Sequence, residues 1–291
     1  MKPAPFSYLA PRSREEAIDA LRRHGPEAKI LAGGQSLVPL LAMRLARPAI
    51  ILDVNRIADL AFIAAGSRKI AIGAMTRQRT VEADATLGAR VPLLRETLRW
   101  VGHPQIRTRG TIGGSMAHAD PSAELPAVAA ILDSSFTLQS ARGLRTLTAA
   151  EFFTGYLTTA LAPDELLTEV RFAAPPANAG WAFHEVARRH GDFALAGVAA
   201  LVRMDGDRRC TDARLAFVGV GPGPVRVPDA EQHLVGRAIT QAVADEMARI
   251  VQGALDPDGD IHASAAYRRH VAGVLAARAV LEAAGRTRVQ A

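Results

Sequence analysis

The sequence predicts an α+β fold built from a small N-terminal α/β unit, a mixed segment of strands and helices, and a C-terminal domain of antiparallel strands and helices. Three observations predict it. Apolar stretches of strand length, 29–31 and 49–54, enclose a short helical stretch. Between about 60 and 172 the hydrophobic pattern changes repeatedly between the strand period and the helix period. Beyond a linker rich in proline and alanine, a β-hairpin pattern precedes two long amphipathic helices.

The N-terminal unit carries clear helix boundary signals. Ser13 and Glu16 have the spacing of a capping box, and Gly25 is placed to end the first helix. After the first predicted strand and a Gly-Gly turn, residues 37–45 have the apolar content of a short helix, which Pro48 stops. The second strand then completes a compact β–turn–helix–β unit.

The later segments are predicted from periodicity. Residues 69–74 alternate as a strand does, and the linker composition of 173–180 indicates a domain boundary. We therefore expect a first domain at 1–174, with subdomains at about 1–58 and 59–174, and a second domain at 181–291. Helical spacing occurs at 87–101, 124–132, 240–255 and 265–284, and a hairpin is expected from strands at 197–204 and 214–220.

Composition excludes several classes of protein. With 291 residues, 49% of them hydrophobic, the chain can bury a substantial core. The N-terminus lacks the apolar region of a signal peptide, and no run approaches the roughly 20 apolar residues of a membrane span, so a cytoplasmic protein is expected. The single cysteine, Cys210, cannot hold an iron–sulfur cluster alone. The net charge of +6 is dispersed among acidic residues, so nucleic acid is not an expected partner.

Two glycine motifs carry the strongest chemical signal. The first, after a predicted strand, is Ala32-Gly33-Gly34-Gln35-Ser36, and the second is Thr111-Ile112-Gly113-Gly114-Ser115. Paired glycines permit positive φ and let backbone N–H groups approach an anion, so two such loops can clamp the phosphates of a dinucleotide. The alternative is a pair of tight turns without a ligand. Neither motif matches the Rossmann or P-loop pattern.

Other candidate residues have structural alternatives. Arg107 and Arg109 flank the second motif and either compensate phosphate charge or lie solvated in a loop. Trp100 and Trp181 are expected in the core or at an interface. The histidines lack the spacing of a metal site, and no pair of carboxylates identifies a general acid and base, so neither a metal nor a catalytic residue is predicted.

Four ordered motifs resemble the flavoprotein medium subunits of the xanthine dehydrogenase and carbon monoxide dehydrogenase family, the molybdenum hydroxylases. They are Ala-Gly-Gly-Gln-Ser-Leu-Val-Pro at 32–39, Gln-Ile-Arg-Thr-Arg-Gly-Thr-Ile-Gly-Gly-Ser at 105–115, Ala-Asp-Pro-Ser-Ala-Glu-Leu-Pro at 119–126 and Arg-Arg-His-Gly-Asp-Phe-Ala at 188–194. In length and motif order the resemblance covers essentially the whole chain. It implies a two-part FAD-binding domain of the PCMH type, followed by the C-terminal domain of these subunits.

The resemblance also implies roles for individual residues. Both glycine loops, residues 32–36 and 111–115, would bind the FAD pyrophosphate, and Asp120 would hold the sugar–phosphate chain. Phe193 stands where many relatives have a tyrosine near the isoalloxazine ring, and it lacks the hydroxyl that donates a hydrogen bond. Relatives also carry Asn at the positions of Thr108 and Ser115.

The resemblance implies partners as well. A large molybdenum-cofactor subunit would oxidise the substrate, a small [2Fe-2S] subunit would carry electrons to FAD on this chain, and the assembly would be a dimer of heterotrimers. The cysteine-rich insertion of relatives with a four-iron cluster is absent from the sequence. A stand-alone FAD-dependent oxidase or dehydrogenase and a flavin-free scaffold protein remain the alternatives.

Overall fold

The computed structural model describes residues 2–287 and confirms the α+β prediction. Met1 and residues 288–291, which are the outer ends of the two predicted domains, lie outside the described residues. The strands form sheets of three, five and four strands and one separate two-stranded hairpin. Among residues 2–287, no helix combines the length and the apolar character needed to cross a membrane.

The N-terminal unit is a parallel three-stranded sheet with the order β1-β3-β2. Ser13 caps the first helix, because its Oγ accepts from the Glu16 N–H at 3.1 Å. The predicted capping box is incomplete, since the Glu16 carboxylate accepts from the Arg12 N–H at 2.8 Å and not from that of Ser13. The second helix ends earlier than predicted, since Arg44 adopts a left-handed φ of 59°. The elements are β1 (Ser7–Leu9), α1 (Arg14–His24), β2 (Ala28–Leu31), α2 (Leu37–Ala42) and β3 (Ile50–Asp53).

The middle part contains a five-stranded antiparallel sheet with the order β4-β5-β10-β6-β7. Its elements are β4 (Ile63–Ala65), β5 (Lys69–Gly73), α3 (Gln78–Ala83), α4 (Ala85–Arg90), α5 (Pro92–Leu98), α6 (Pro104–Arg109), α7 (Ile112–His118), α8 (Glu124–Ile131), β6 (Ser135–Ser140), β7 (Gly143–Thr148), α9 (Ala149–Phe152), β8 (Phe153–Gly155), β9 (Thr158–Thr159) and β10 (Leu166–Ala173). The single helix predicted over 87–101 is wrong: it is two helices, because Pro92 lacks the N–H that would continue α4 and starts α5 instead.

The C-terminal part is a four-stranded antiparallel sheet covered by helices. The predicted hairpin and both long helices are confirmed, whereas the first strand was not predicted. The elements are β11 (Gly180–Val186), β12 (Ala196–Met204), β13 (Cys210–Val218), β14 (Val225–Arg226), α10 (Pro228–Leu234), α11 (Gln241–Ala254) and α12 (Ala265–Arg286).

Both faces of the C-terminal sheet are buried. Along β12, Ala199 and Leu201 join the core that surrounds α8, while the intervening Ala200 and Val202 join the core beneath α12. Successive side chains of a strand point to opposite faces, so one strand serves two cores. The C-terminal sheet is therefore held between the middle part of the chain and its own helices.

Candidate cofactor-binding site

The first glycine motif is the loop between β2 and α2. Gly34 adopts φ of 75°, the left-handed conformation that glycine tolerates best. A Cβ on Gly33 would lie 2.4 Å from the Arg109 carbonyl oxygen, so glycine is needed for the loop to touch the end of α6. The structure thus brings the first motif against the segment that leads into the second motif.

A cleft of about 440 Å³ opens beside this contact, within the size range of small-ligand pockets. It contains four of the five residues of the first motif and adds charged and amide side chains from three other segments. Its lining residues are Leu31, Ala32, Gly33, Gly34, Gln35, Val38, Pro39, Asp53, Asn55, Arg77 and Arg109. Ser36 and the second motif do not line this cleft.

The backbone of the first motif is arranged to receive an anion. Within the part of the chain that the structure describes, the N–H groups of Gly33, Gly34, Gln35 and Ser36 donate to no protein acceptor. The Gln35 side chain donates to the Gly33 carbonyl at 3.2 Å and stabilises the turn. Successive free N–H groups around a left-handed residue form an anion-binding concavity. This donor set fits the phosphates of a dinucleotide cofactor.

The second motif forms the first turn of a helix. Thr111 is the N-cap of α7, and its Oγ accepts from the Gly114 N–H at 3.0 Å. The Ser115 N–H donates to the Thr111 carbonyl at 3.2 Å. The two adjacent glycines of this motif, which were predicted to form a turn like the first one, are therefore helical.

Neighbouring N–H groups of the second motif bind the segment after β5. The Gly113 N–H donates to the Ala74 carbonyl at 2.8 Å, and the Ile112 N–H donates to the Thr76 carbonyl at 3.0 Å. A Cβ on Gly113 would lie 2.4 Å from the Ala74 Cβ, and glycine thus permits this close packing. The N–H groups of residues 112–115 in the second motif consequently donate within the protein.

Positive charge enters the cleft from Arg77 and Arg109. The Arg77 guanidinium donates to the Arg109 carbonyl at 2.6 Å and to Asn55 Oδ1 at 2.7 Å. Burial lowers the pKa of Arg77, and the positive charge of Arg109 lowers it further. Arg77 was not predicted to be a site residue, because its only local signal is one basic residue after a strand.

Asp53 and Asn55 also line the cleft, and Asn55 contacts Arg77. Asn55 Nδ2 donates to the Ala32 carbonyl at 2.8 Å and to Asp53 Oδ1 at 2.6 Å, and Tyr8 donates its hydroxyl to Asp53 Oδ2. Burial acts to raise the pKa of Asp53, but hydrogen bonds from Tyr8 and Asn55 hold it below its ordinary value. The carboxylate is therefore ionised and can accept hydrogen bonds from sugar hydroxyls.

Arg107 has a structural role. Its side chain is 6% exposed, its Nε donates to Glu82 at 3.0 Å, and its Nη1 donates to the Val101 carbonyl at 2.9 Å. Of the two arginines that flank the second motif, only Arg109 lines the cleft. The guanidinium of Arg107 is instead used to hold α6 against α3.

Asp120 lies just beyond α7 and does not line the cleft. One carboxylate oxygen accepts from the Ser122 N–H at 2.9 Å, and the other lies 3.9 Å from His118 Nε2. Burial lowers the pKa of His118, while the charge of Asp120 partly opposes this effect. The Asp120 carboxylate is thus engaged in a turn at the far end of the helix that contains the second motif.

Phe193 lies in the loop between β11 and β12 and is 62% exposed. Gly191 in the same loop has φ of 88°, and a Cβ there would lie 2.7 Å from His103 Cε1. The loop therefore packs against the segment that starts α6. At this exposure, Phe193 does not belong to the hydrophobic core.

The two tryptophans pack against protein groups. Trp100 contacts Phe183 and lies edge-on to His190, with ring centroids 5.7 Å apart. Arg286 lies over the Trp181 ring at 4.1 Å. Across residues 2–287, no group of three or more His, Cys, Asp or Glu side chains is placed to bind a metal ion.

The fold and the cleft define a protein that binds a dinucleotide cofactor, and comparison with known proteins identifies the cofactor. Residues 4–175 match the FAD binding domain in molybdopterin dehydrogenase, and residues 181–283 match the CO dehydrogenase flavoprotein C-terminal domain. This chain belongs to the family of FAD-binding medium subunits of molybdenum hydroxylases, and it is an oxidoreductase subunit with FAD as its cofactor.

Named relatives match over nearly their full length. The 6-hydroxypseudooxynicotine dehydrogenase complex subunit alpha of Paenarthrobacter nicotinovorans is 41% identical over 99% of this chain and 97% of the relative. The carbon monoxide dehydrogenase medium chain of Afipia carboxidovorans is 35% identical over 99% and 100%. A solved chain of carbon monoxide dehydrogenase from Hydrogenophaga pseudoflava superposes with a TM-score of 0.96 at 36% identity, covering 99% of this chain and 100% of that chain.

Proposed function

We propose that this chain is the electron-relay subunit of a heterotrimeric molybdenum hydroxylase. FAD on this chain receives electrons from the [2Fe-2S] clusters of a small subunit and passes them to an external acceptor such as NAD, a quinone or oxygen. A large molybdenum-cofactor subunit oxidises the substrate, two heterotrimers form a dimer, and the complex works in the cytoplasm. The observation that carries this proposal is the cleft, which combines free N–H donors and two guanidinium groups.

The proposal assigns the parts of FAD to particular segments. The pyrophosphate lies against the first loop, Ala32, Gly33, Gly34, Gln35 and Ser36, and near the second, Thr111, Ile112, Gly113, Gly114 and Ser115. Asp120 holds the sugar–phosphate chain, and Phe193 lies near the isoalloxazine ring. The contact between Gly33 and Arg109 supports the pairing of the loops, and the contact between Gly191 and His103 supports the approach of the Phe193 loop.

In this proposal the residues of this chain bind the cofactor and orient it. When bound, FAD supplies reversible electron transfer, while the protein positions the cofactor and adjusts its surroundings. The first loop and the arginines hold the phosphates, and the ionised Asp53 accepts from sugar hydroxyls. We assign no acid–base residue to this chain. The proposed division is an FAD-binding domain at 1–174 and a C-terminal domain at 181–291.

The test compares the isolated chain with the chain co-expressed with its two neighbouring subunits. We expect the isolated chain to bind FAD, shown by its absorption spectrum, and to oxidise no organic substrate. The purified complex should reduce its flavin when substrate is added. Substrate oxidation by the isolated chain at a rate comparable to the complex would favour a stand-alone oxidase, and a chain purified without flavin that cannot bind added FAD would favour a scaffold.

A further inference from the structure

The loop that carries Phe193 is fixed at its C-terminal end. It spans residues 187–195 between β11 and β12, and the Leu195 N–H closes it by donating to the Val186 carbonyl at 2.8 Å. Ala194 is 2% exposed and belongs to the core that surrounds α8, whereas the adjacent Phe193 ring is exposed. The position of the Phe193 ring therefore depends on how the backbone just after it is held.

Arg268, in the first turn of α12, holds that backbone. Its side chain is buried, and its Nη1 donates to the Leu195 carbonyl at 2.6 Å and to the Gly219 carbonyl at 3.1 Å. Leu195 precedes β12 and Gly219 follows β13, and these two strands are antiparallel neighbours. One guanidinium group therefore joins the adjacent ends of both strands.

An ion pair with Asp260 orients the Arg268 guanidinium. Nη2 donates to Asp260 Oδ2 at 2.7 Å, while Asp260 Oδ1 accepts from the Ala263 N–H at 2.9 Å and the His262 N–H at 2.8 Å. The two N–H groups, with a further contribution from Arg268, hold the pKa of Asp260 at about 2, so the carboxylate is ionised at neutral pH. Because this charge-assisted contact is directional, Nη1 is presented to the two carbonyls in one orientation.

Gly219 connects the same contact to the FAD-binding domain. Its φ is 74°, and a Cβ there would lie 2.7 Å from the Leu195 carbonyl oxygen, so glycine permits the close approach of the two strand ends. The Gly219 N–H donates to the Pro121 carbonyl at 2.8 Å, in the segment after α7 to which we assign the sugar–phosphate chain. Arg268 thus fixes the end of the Phe193 loop relative to that segment.

We propose that Arg268 is a positioning residue for the isoalloxazine ring of FAD and that it acts through the loop that carries Phe193. This inference rests on the proposed position of Phe193 near the ring. An aromatic side chain against a flavin contributes dispersion and excludes water, but only if its backbone holds it there. The guanidinium orders the end of the loop before the cofactor binds, so less conformational freedom is lost on binding.

The test is a double-mutant cycle in the full-length chain, freed of flavin, with Arg268→Met, Phe193→Ala and both substitutions together. Calorimetry gives the dissociation constants of FAD and of ADP, which lacks the isoalloxazine ring. Loss of the aromatic contact predicts a roughly two- to tenfold weaker FAD affinity in each single variant, with unchanged ADP affinity. The double variant should bind FAD no more weakly than Phe193→Ala, because both substitutions remove the same contact. All three variants should show the same shift of the flavin absorption bands.

Arg269→Met is the matched control. Arg269 follows Arg268 on α12, donates to the Leu255 carbonyl at 2.9 Å and forms an ion pair with Asp256 at 3.1 Å. Both of these contacts lie outside residues 187–195. Arg269→Met should therefore lower the melting temperature without changing the FAD affinity or the flavin spectrum.

Arg268→Lys keeps a positive charge beside Asp260 and should lose less FAD affinity than Arg268→Met, which it replaces in the cycle if the methionine variant does not fold. Equal losses of FAD and ADP affinity, or normal FAD affinity with a lower melting temperature, would show a purely structural role and overturn the inference. A double variant in which the two single losses multiply would show that Arg268 does not act through Phe193.

The cycle also separates this inference from the proposed function. If Phe193→Ala alone leaves the FAD affinity and the flavin spectrum unchanged, the proposed position of Phe193 is wrong and the inference is wrong with it. If Phe193→Ala changes both quantities and Arg268→Met changes neither, the position of Phe193 stands and Arg268 has no positioning role.

Discussion

Replacement of Glu185 by glutamine should change how the stability of the protein depends on pH. Glu185 lies on β11, is 8% exposed, and has two buried carboxyl oxygens without a hydrogen-bond partner in the described chain. Burial raises its pKa to about 9, and the nearby charge of Glu124 adds to this effect. Glu124 begins α8, and burial raises its pKa to about 7.

The magnitude follows from proton linkage. An unfolded glutamate releases its proton near pH 4.3, whereas folded Glu185 keeps it to about pH 9. Between these values the folded state binds one more proton than the unfolded state, so the free energy of unfolding falls as pH rises. One proton corresponds to about 1.4 kcal/mol for each pH unit. Between pH 7 and 8.5, at and above the pKa of Glu124, Glu185 should account for about 2 kcal/mol of lost stability.

The assay is urea unfolding of the full chain at pH 7, 7.75 and 8.5, followed by far-ultraviolet circular dichroism. Glu185→Gln should flatten the pH dependence by about 1.4 kcal/mol per unit, because glutamine has no proton to release. Glu27→Gln is the matched control, since Glu27 is exposed. Parallel curves for the unsubstituted chain and Glu185→Gln would show that Glu185 is ionised in the folded state and would refute the reasoning.

Three further substitutions separate packing from cofactor binding. Gly33→Ala places a Cβ 2.4 Å from the Arg109 carbonyl oxygen, so it should lower the free energy of unfolding by about 1–3 kcal/mol and also lower the flavin-to-protein ratio. Gly206→Ala is the control, because a Cβ there lies in open space and should change neither quantity. Phe193→Ala should cost under about 1 kcal/mol in thermal melting, because the ring is exposed, while it shifts the flavin spectrum; an unchanged spectrum removes Phe193 from the ring site. Arg107→Met leaves Glu82 with only the exposed Arg79 as a partner and removes the donor to the Val101 carbonyl, so it should lower the free energy of unfolding by about 1–3 kcal/mol, with normal FAD affinity in the folded fraction; weakened affinity contradicts its structural role.

The sequence predicts those features whose cause is local. Ser13 caps α1 by accepting from the N–H of Glu16, three positions away, and glycine is favoured at position 34 because of the positive φ of that residue itself. Periodicity identified β12, α11 and α12, because each packs along its whole length. In contrast, β1 has three exposed residues and no alternation, and it exists because β3 offers a parallel partner 43 residues later.

The site was predictable only in part, since its side chains come from distant segments. Asn55 and Arg77 are 22 residues apart, and nothing in either local sequence indicates that they meet. The second glycine motif was wrongly predicted to be a turn for a different reason. A pair of glycines arises from a need for positive φ, as at Gly34, or from a need for close approach, as at Gly113, and sequence does not distinguish these causes.

The burial of both faces of the C-terminal sheet has a consequence for how the chain can be divided. A fragment that ended before β11 would expose the apolar surface of α8, including Leu125 and Val128, which belong to the same buried cluster as Leu201 of β12. The complementary fragment would expose the apolar side chains of β12, such as Leu201, that face this cluster. Each fragment would therefore tend to aggregate alone, yet the same surfaces would drive the two to associate when mixed. A chain cleaved within 174–179 is thus expected to stay associated through the contact of α8 with β12 and β13.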